Sequence, residues 1–278
     1  MKHNVKYKKR FFYAFYIVLP IVIFVRWQIN LIKLKYMIDL RLGDCFEVMK
    51  TIPDGSIDCV ITDPPYGTTA CKWDSIIPFD LMWEQLNRII KPNGAIVLFG
   101  SEPFSSALRM SNVKNYKYDW IWKKNLKTGF LNAKKMPLLN NEIISIFYKK
   151  PPTYNPIMQI RKTLKAGNKK HSTPTDNYGD YSKTFTDNQT DFVYPSRVIE
   201  NIKCVHNSSK DKVKHPTQKP VLLMEYLIKT YTNENETVLD FTMGSGSTLV
   251  ACKNLNRNGI GIEMDAQYYA VAVARVDG

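Results

Sequence analysis

The stretch VLDFTMGSGSTLVACKNL, residues 238–255, admits few folds. An apolar run ends in Asp240, a turn carrying Gly244 and Gly246 follows, and a helix-forming segment begins at Ser247. A strand that turns on glycine straight into a helix is the first half of a βαβ unit. The second strand follows in GIGIEMD, residues 259–265. Glu263 falls at its tip, roughly 20 residues after the glycines, the spacing at which an acid can hold ribose hydroxyls. Ser247 and Thr248 stand where a phosphate-cradling loop carries lysine, so nothing here neutralises a nucleoside triphosphate. With two glycines rather than three, the dinucleotide fingerprint is incomplete, and the turn alone is also compatible with a plain tight connection. Its flanks point to a nucleoside ligand without a polyphosphate.

The same alternation runs through most of the chain. Strands are expected at 56–62, 95–100, 118–125 and 142–150, and IDLRL after Met37 reads as a first strand. Helices are expected over 78–94, halted by Pro92 and Gly94, and over 102–113, 219–231 and 265–276. Strands alternating with helices imply an α/β fold with a doubly wound, mainly parallel sheet. Residues 151–214 break the pattern with a polar, irregular, lysine-rich stretch.

Charge and cysteine usage narrow the partners. The net charge of +14 suggests an anionic partner, most often nucleic acid. Eight basic residues and no acid lie within residues 1–36, leaving 31 basic against 25 acidic residues in a mildly basic body. The five cysteines, Cys45, Cys59, Cys71, Cys204 and Cys252, form no C-x-x-C pair, which argues against a disulfide framework or a zinc site and fits a reducing, cytoplasmic setting. No metal site is expected. The apolar run Phe11–Val25 is short for a span and contains Pro20, so membrane contact there is not the favoured reading. We expect residues 1–36 to lie outside the fold.

A second motif, DPPYG at residues 63–67, follows the apolar run CVIT and so falls at the carboxyl edge of the sheet, where such folds bind ligands. Two successive prolines remove two N–H donors. Acceptors remain, the Asp63 carboxylate and the Pro64 carbonyl among them, beside the aromatic face of Tyr66. Acceptors suit a substrate that donates hydrogen bonds, such as an exocyclic amine, and an aromatic face suits a flat base.

Together these motifs resemble the amino-group DNA methyltransferases that use S-adenosylmethionine, in the subgroup where D-P-P-Y precedes the cofactor loop. The resemblance spans residues 38–276 and rests on LGDCFEVMKTIPDGSIDCVITDPPYG, KHPTQKPVLLMEYLIKTYTNENETVLDFTMGSGST and GIGIEMDAQYY in that order. It implies a Rossmann-like methyltransferase domain over 37–278 with permuted motif order, and residues 151–214 as a target-recognition insertion. It implies that Asp240, Phe241, Met243, Gly244, Ser245 and Gly246 approach the methionine part of the cofactor and that Glu263 holds its ribose. Asp44 is either at the adenine end of the cofactor or simply a strand-end turn acid. Thr217 and Lys219 match a family stretch beside the cofactor, and His215 is expected to be structural. Phe241, Thr242 and Ser247 depart mildly from the family's usual D-P-F-M-G-S-G-T-T.

Catalysis is assigned by the resemblance to Asp63, Pro64 and Tyr66, acting on a base flipped from double-stranded DNA. Asp63 leans towards the N6 amine of adenine, because the cytosine-N4 enzymes more often carry serine there. Arg161, Lys162, Lys165, Lys169, Lys170 and Arg197 are candidate DNA contacts. The alternatives are an N4-cytosine enzyme, an RNA methyltransferase, and an inactive DNA-binding or membrane-tethered protein.

Overall fold

The computed structural model describes residues 36–68, 74–161, 191–206, 209, 212–213 and 217–278. Residues 11–25, Lys162, Lys165, Lys169, Lys170 and His215 lie outside them.

The chain runs β1 (Ile38–Leu42), α1 (Cys45–Met49), β2 (Ile57–Thr62), α2 (Phe79–Ile89), β3 (Ile90–Gly100), α3 (Phe104–Ser111), β4 (Tyr116–Thr128) and β5 (Leu139–Phe147). It continues with β6 (Gln159–Ile160), β7 (Phe192–Val193), β8 (Val198–Ile199), α4 (Val221–Tyr231), β9 (Thr237–Asp240), α5 (Ser247–Asn254), β10 (Asn258–Glu263) and α6 (Ala266–Asp277). Eight strands form one sheet in the order β1-β10-β9-β2-β3-β5-β4-β8, and β6 pairs with β7 alone. Only β5 runs against its neighbours in the main sheet.

Burial of both faces explains why β2 carries consecutive apolar residues from Cys59 to Ile61. Alternate residues point to opposite sides. Val60 packs with Met49, Leu86 and Leu108 from α1, α2 and α3, while Cys59 and Ile61 pack with Leu223, Leu227 and Ile228 of α4. A side chain such as Leu227, fully buried, contributes about 1.5–3 kcal/mol by leaving water.

Helix α2 ends five residues before the expected limit of 94, and the strand expected from 95 begins at Ile90. Pro92 has no N–H for a helical bond and drives Lys91 towards extended backbone, so the change of geometry falls before the proline. Strands β4 and β5 are longer towards their connection than expected, forming a hairpin whose pairing reaches Thr128 and Leu139. Within the 151–214 stretch, β8 joins the main sheet by pairing with β4.

Order in the sheet fixes the site. From β2 the chain crosses to β3 on one side, and from β9 it crosses to β10 on the other. Strands β2 and β9 are parallel neighbours, with Val60 opposite Leu239, so their carboxyl ends flank the point where the winding reverses. Open α/β sheets bind ligands at this crevice. DPPYG and the glycine turn, 178 residues apart at Thr62 and Asp240, meet there through a 3.0 Å hydrogen bond between those side chains.

Candidate active site

At the end of β2 the Asp63 carboxylate faces a small set of partners. Tyr66 donates its phenol O–H to Oδ1 and Lys219 donates an ammonium N–H to Oδ2. The neighbouring glycine-turn residue Thr242 donates its hydroxyl to the Asp63 carbonyl at 3.2 Å. Gly67 and Thr68 give their N–H groups to Asp74 at 2.8 and 2.9 Å, which folds the loop back on itself after Tyr66. The Tyr66 ring packs 5.1 Å from Phe104.

Behind Asp63 the charges alternate. Lys219 lies 3.4 Å from Glu142 of β5, and Glu142 lies 3.1 Å from Lys124 of β4. All three side chains are at most 15% exposed. Burial raises the Asp63 pKa, and the Glu142 charge adds to this; Lys219 only partly offsets it. Burial pulls Lys219 down, but its two carboxylate neighbours more than reverse this and keep it charged. Burial likewise raises Glu142, and Lys219 and Lys124 outweigh it, so Glu142 remains a carboxylate below the usual range. Burial next to Asp63 and Glu142 holds the Tyr66 phenol protonated.

The other half of the site hangs on Asp240 and Glu263. Asp240 is buried and accepts from Thr62 at 3.0 Å and Thr248 at 2.6 Å, with a longer bond of 3.3 Å from the Thr242 N–H. Burial pushes its pKa up to about 7, against the opposing effect of these donors. Gly244 and Gly246 have φ of 50° and 76°, in the left-handed region that glycine enters without penalty. A Cβ on Gly246 would also come within 3.0 Å of Ala272 of α6. The turn so formed aims the Gly244 N–H at Glu263 Oε2, 2.9 Å, while Asp265 N–H bonds Oε1 at 2.8 Å. Burial raises the Glu263 pKa despite these donors. Glu263 pairs in register with Leu42, so Asp44, two residues beyond the end of β1, stands beside it.

A cleft of about 670 Å³ joins the two halves, within the ~300–1,000 Å³ usual for small-molecule sites. Asp63, Pro64, Tyr66, Asp44, Thr217 and Lys219 line it, as do Asp240, Phe241, Met243, Gly244, Ser245 and Glu263. Gly246 shapes the turn but does not line the cleft. Asp44 lines the cleft and also caps α1, its Oδ1 accepting from Phe46 and Glu47 N–H at 2.9 and 3.2 Å. Lys219 directs its ammonium at the Asp63 carboxylate, while its carbonyl accepts from Ser247 at 2.8 Å and ties it to the glycine turn. Arg161 lies at the end of β6 and is half-buried; Arg197 is exposed and stacks 5.4 Å from the Tyr118 ring centre.

Glu142 and Lys124 were not found by sequence reasoning. The antiparallel register placing Trp122 opposite Glu142 brings them together, and no local motif signals it.

Residues 57–274 match the family described as DNA methylase, N6_N4_Mtase. The Type II methyltransferase M.HpaI of Haemophilus parainfluenzae is 31% identical over 256 residues, covering 86% of this chain and 74% of that protein. The Type II methyltransferase M1.MboII of Moraxella bovis is 28% identical over 245 residues, covering 81% and 91% respectively. Among solved structures, the M1.HpyAVI–SAM complex is 30% identical with a TM-score of 0.59, over 87% of this chain and 100% of that one. The cytosine-N4-specific PvuII DNA methyltransferase shares the fold, with a TM-score of 0.61 at 17% identity over 87% and 88% of the two chains. The chain therefore belongs to the DNA methylase family of N6/N4 methyltransferases.

Proposed function

We propose that the protein transfers a methyl group from S-adenosylmethionine to the exocyclic N6 amine of adenine in double-stranded DNA. One observation carries this reading: the acid at 63, the residue that leans towards adenine in the resembling enzymes, stands in one cleft with the glycine turn and Glu263. The residues suit the cofactor. Glu263, fixed by two backbone N–H groups, keeps lone pairs for a vicinal diol, and no lysine stands at the turn to demand phosphate. When bound, S-adenosylmethionine would supply the methyl group of its sulfonium and depart as a neutral thioether, and the methylated amine would then shed one N–H proton to solvent.

The chain's part is positioning and electrostatics. An exocyclic amine is a poor nucleophile because its lone pair is delocalised into the ring. Asp63 and the Pro64 carbonyl accept its two N–H bonds, which favours a pyramidal nitrogen with the lone pair free to attack. A carboxylate has about four acceptor sites, so Asp63 receives the amine while retaining Tyr66 and Lys219. The charge of Lys219 limits the basicity of Asp63, and Glu142 limits that effect in turn. The target nitrogen is out of reach inside a duplex, so the base is flipped and stacks at Tyr66.

The Type II names of the relatives support a role in a restriction–modification pair. Replacing Asp63 by alanine is expected to abolish transfer in a tritiated-methyl assay while calorimetry shows cofactor binding near wild type. Near-normal turnover removes Asp63 from the mechanism.

A further inference from the structure

The β4–β5 hairpin carries a feature that the cleft does not use. Strand β5 is antiparallel to both β3 and β4, so β4 runs parallel to β3 and β2 and ends on the same edge as Asp63. Lys124 and Thr128 of β4 line the cleft, and the turn at Phe130–Asn132 follows two residues after Thr128. At the tip, Phe130 is 76% and Leu131 85% exposed. These two side chains are presented by a closed turn. Gly129 takes φ +84°, Asn132 N–H bonds the Gly129 carbonyl at 2.9 Å, and Ala133 N–H bonds the Phe130 carbonyl at 3.1 Å. Met136 N–H returns to the Asn132 carbonyl at 3.0 Å. Lys127, Lys134 and Lys135 flank the apolar pair, all exposed, and residues 126–139 contain no acid.

We infer that this hairpin tip is a wedge for duplex DNA, with Phe130 and Leu131 entering the base stack next to the target base and the three lysines holding the adjacent phosphates. The inference rests on the reading that a base leaves the duplex to reach Asp63. Extruding a base breaks stacking and leaves a gap, and inserted apolar side chains are the means by which proteins open a base step. A pair of exposed apolar residues is otherwise a liability in water. A membrane and a second copy of the chain are the other occupants, but the flanking cations and the position next to cleft-lining Thr128, on the sheet edge of Asp63, match a polyanion delivered to Asp63.

The test uses a duplex carrying the methylated site mapped in cells, with 2-aminopurine next to the target base as a reporter of unstacking. In Phe130→Ala/Leu131→Ala, duplex affinity is expected to fall on the order of tenfold and most of the fluorescence rise to disappear, with cofactor affinity and melting temperature unchanged. Phe130→Leu, which keeps an apolar wedge, retains the rise. In Lys127→Ala/Lys134→Ala/Lys135→Ala the slope of log affinity against log salt drops by about 2–3, at ~0.9 per phosphate. Wild-type affinity and fluorescence in the Phe130/Leu131 variant overturn the wedge, as does a loss confined to self-association in sedimentation or to binding of anionic vesicles. Asp63→Ala separates the two readings. It keeps the fluorescence rise and loses transfer; if it turns over normally the catalytic reading fails, whatever the hairpin variants do.

Discussion

Asp240 shows how a single side chain can hold the two halves of the site together. Its oxygens are taken by Thr62 of β2 and Thr248 of α5, so it fixes the turn against the DPPY strand. Its pKa of about 7 exceeds the ordinary ~3.9, so between those values the folded chain holds a proton that the unfolded chain has released. That contribution to stability is complete below about pH 4 and is lost as pH rises through 7. Denaturant unfolding from pH 4 to 8 should therefore show the advantage of wild type over Asp240→Asn shrinking with rising pH, by on the order of 4 kcal/mol. A constant difference would mean that Asp240 does not titrate in this window. Glu263 makes the complementary case, a carboxylate with spare lone pairs in the cleft. Glu263→Ala should weaken S-adenosylmethionine by about 1.5–3 kcal/mol in calorimetry, the scale of a lost hydrogen bond to a charged group. An unchanged dissociation constant would refute the ribose assignment.

Elements differ in how openly the sequence announces them. The turn after β9 was legible because its chemistry is local: Asp240, Gly244, Gly246 and Glu263 lie within 24 residues, and each has a backbone reason for its place. Helix α2 was legible in existence but not in extent, since apolar spacing continues through Ile90 although Pro92 has already turned the backbone to strand. The charge pair Lys124–Glu142 was not legible. It depends on how β4 and β5 slide past one another, and its third member, Lys219, meets Asp63 across 156 residues. Because the three side chains are largely buried, Glu142→Gln should cost about 2–3 kcal/mol in chemical denaturation, below the ~3–5 kcal/mol of a fully buried pair. A cost under 0.5 kcal/mol, the scale of ordinary surface changes, would show that the pair is effectively solvated.

For the whole molecule, permuted order is a matter of where the chain starts rather than of the sheet it builds. β1 pairs with β10, and Met37 is held by Asn258 on one side while its carbonyl accepts from Gly259, so the first strand closes onto the last. Every residue assigned to the cleft lies after Met37. A chain beginning at Met37 should therefore fold, bind cofactor and methylate DNA as the 278-residue chain does; activity lost from the shorter chain, with the longer one active, would make the preceding segment part of the enzyme. Among the described residues no helix is long and apolar enough to cross a membrane.

The claim joining these scales is that Asp63 presents the N6 amine of a flipped adenine for methylation. The most direct measurement is methylation-detecting sequencing of DNA from cells expressing the protein, alongside cells expressing Asp63→Ala. N6-methyladenine at one defined sequence, absent with the variant, is the predicted result. N4-methylcytosine at that site, or N6-methyladenine that persists in the variant, would contradict it.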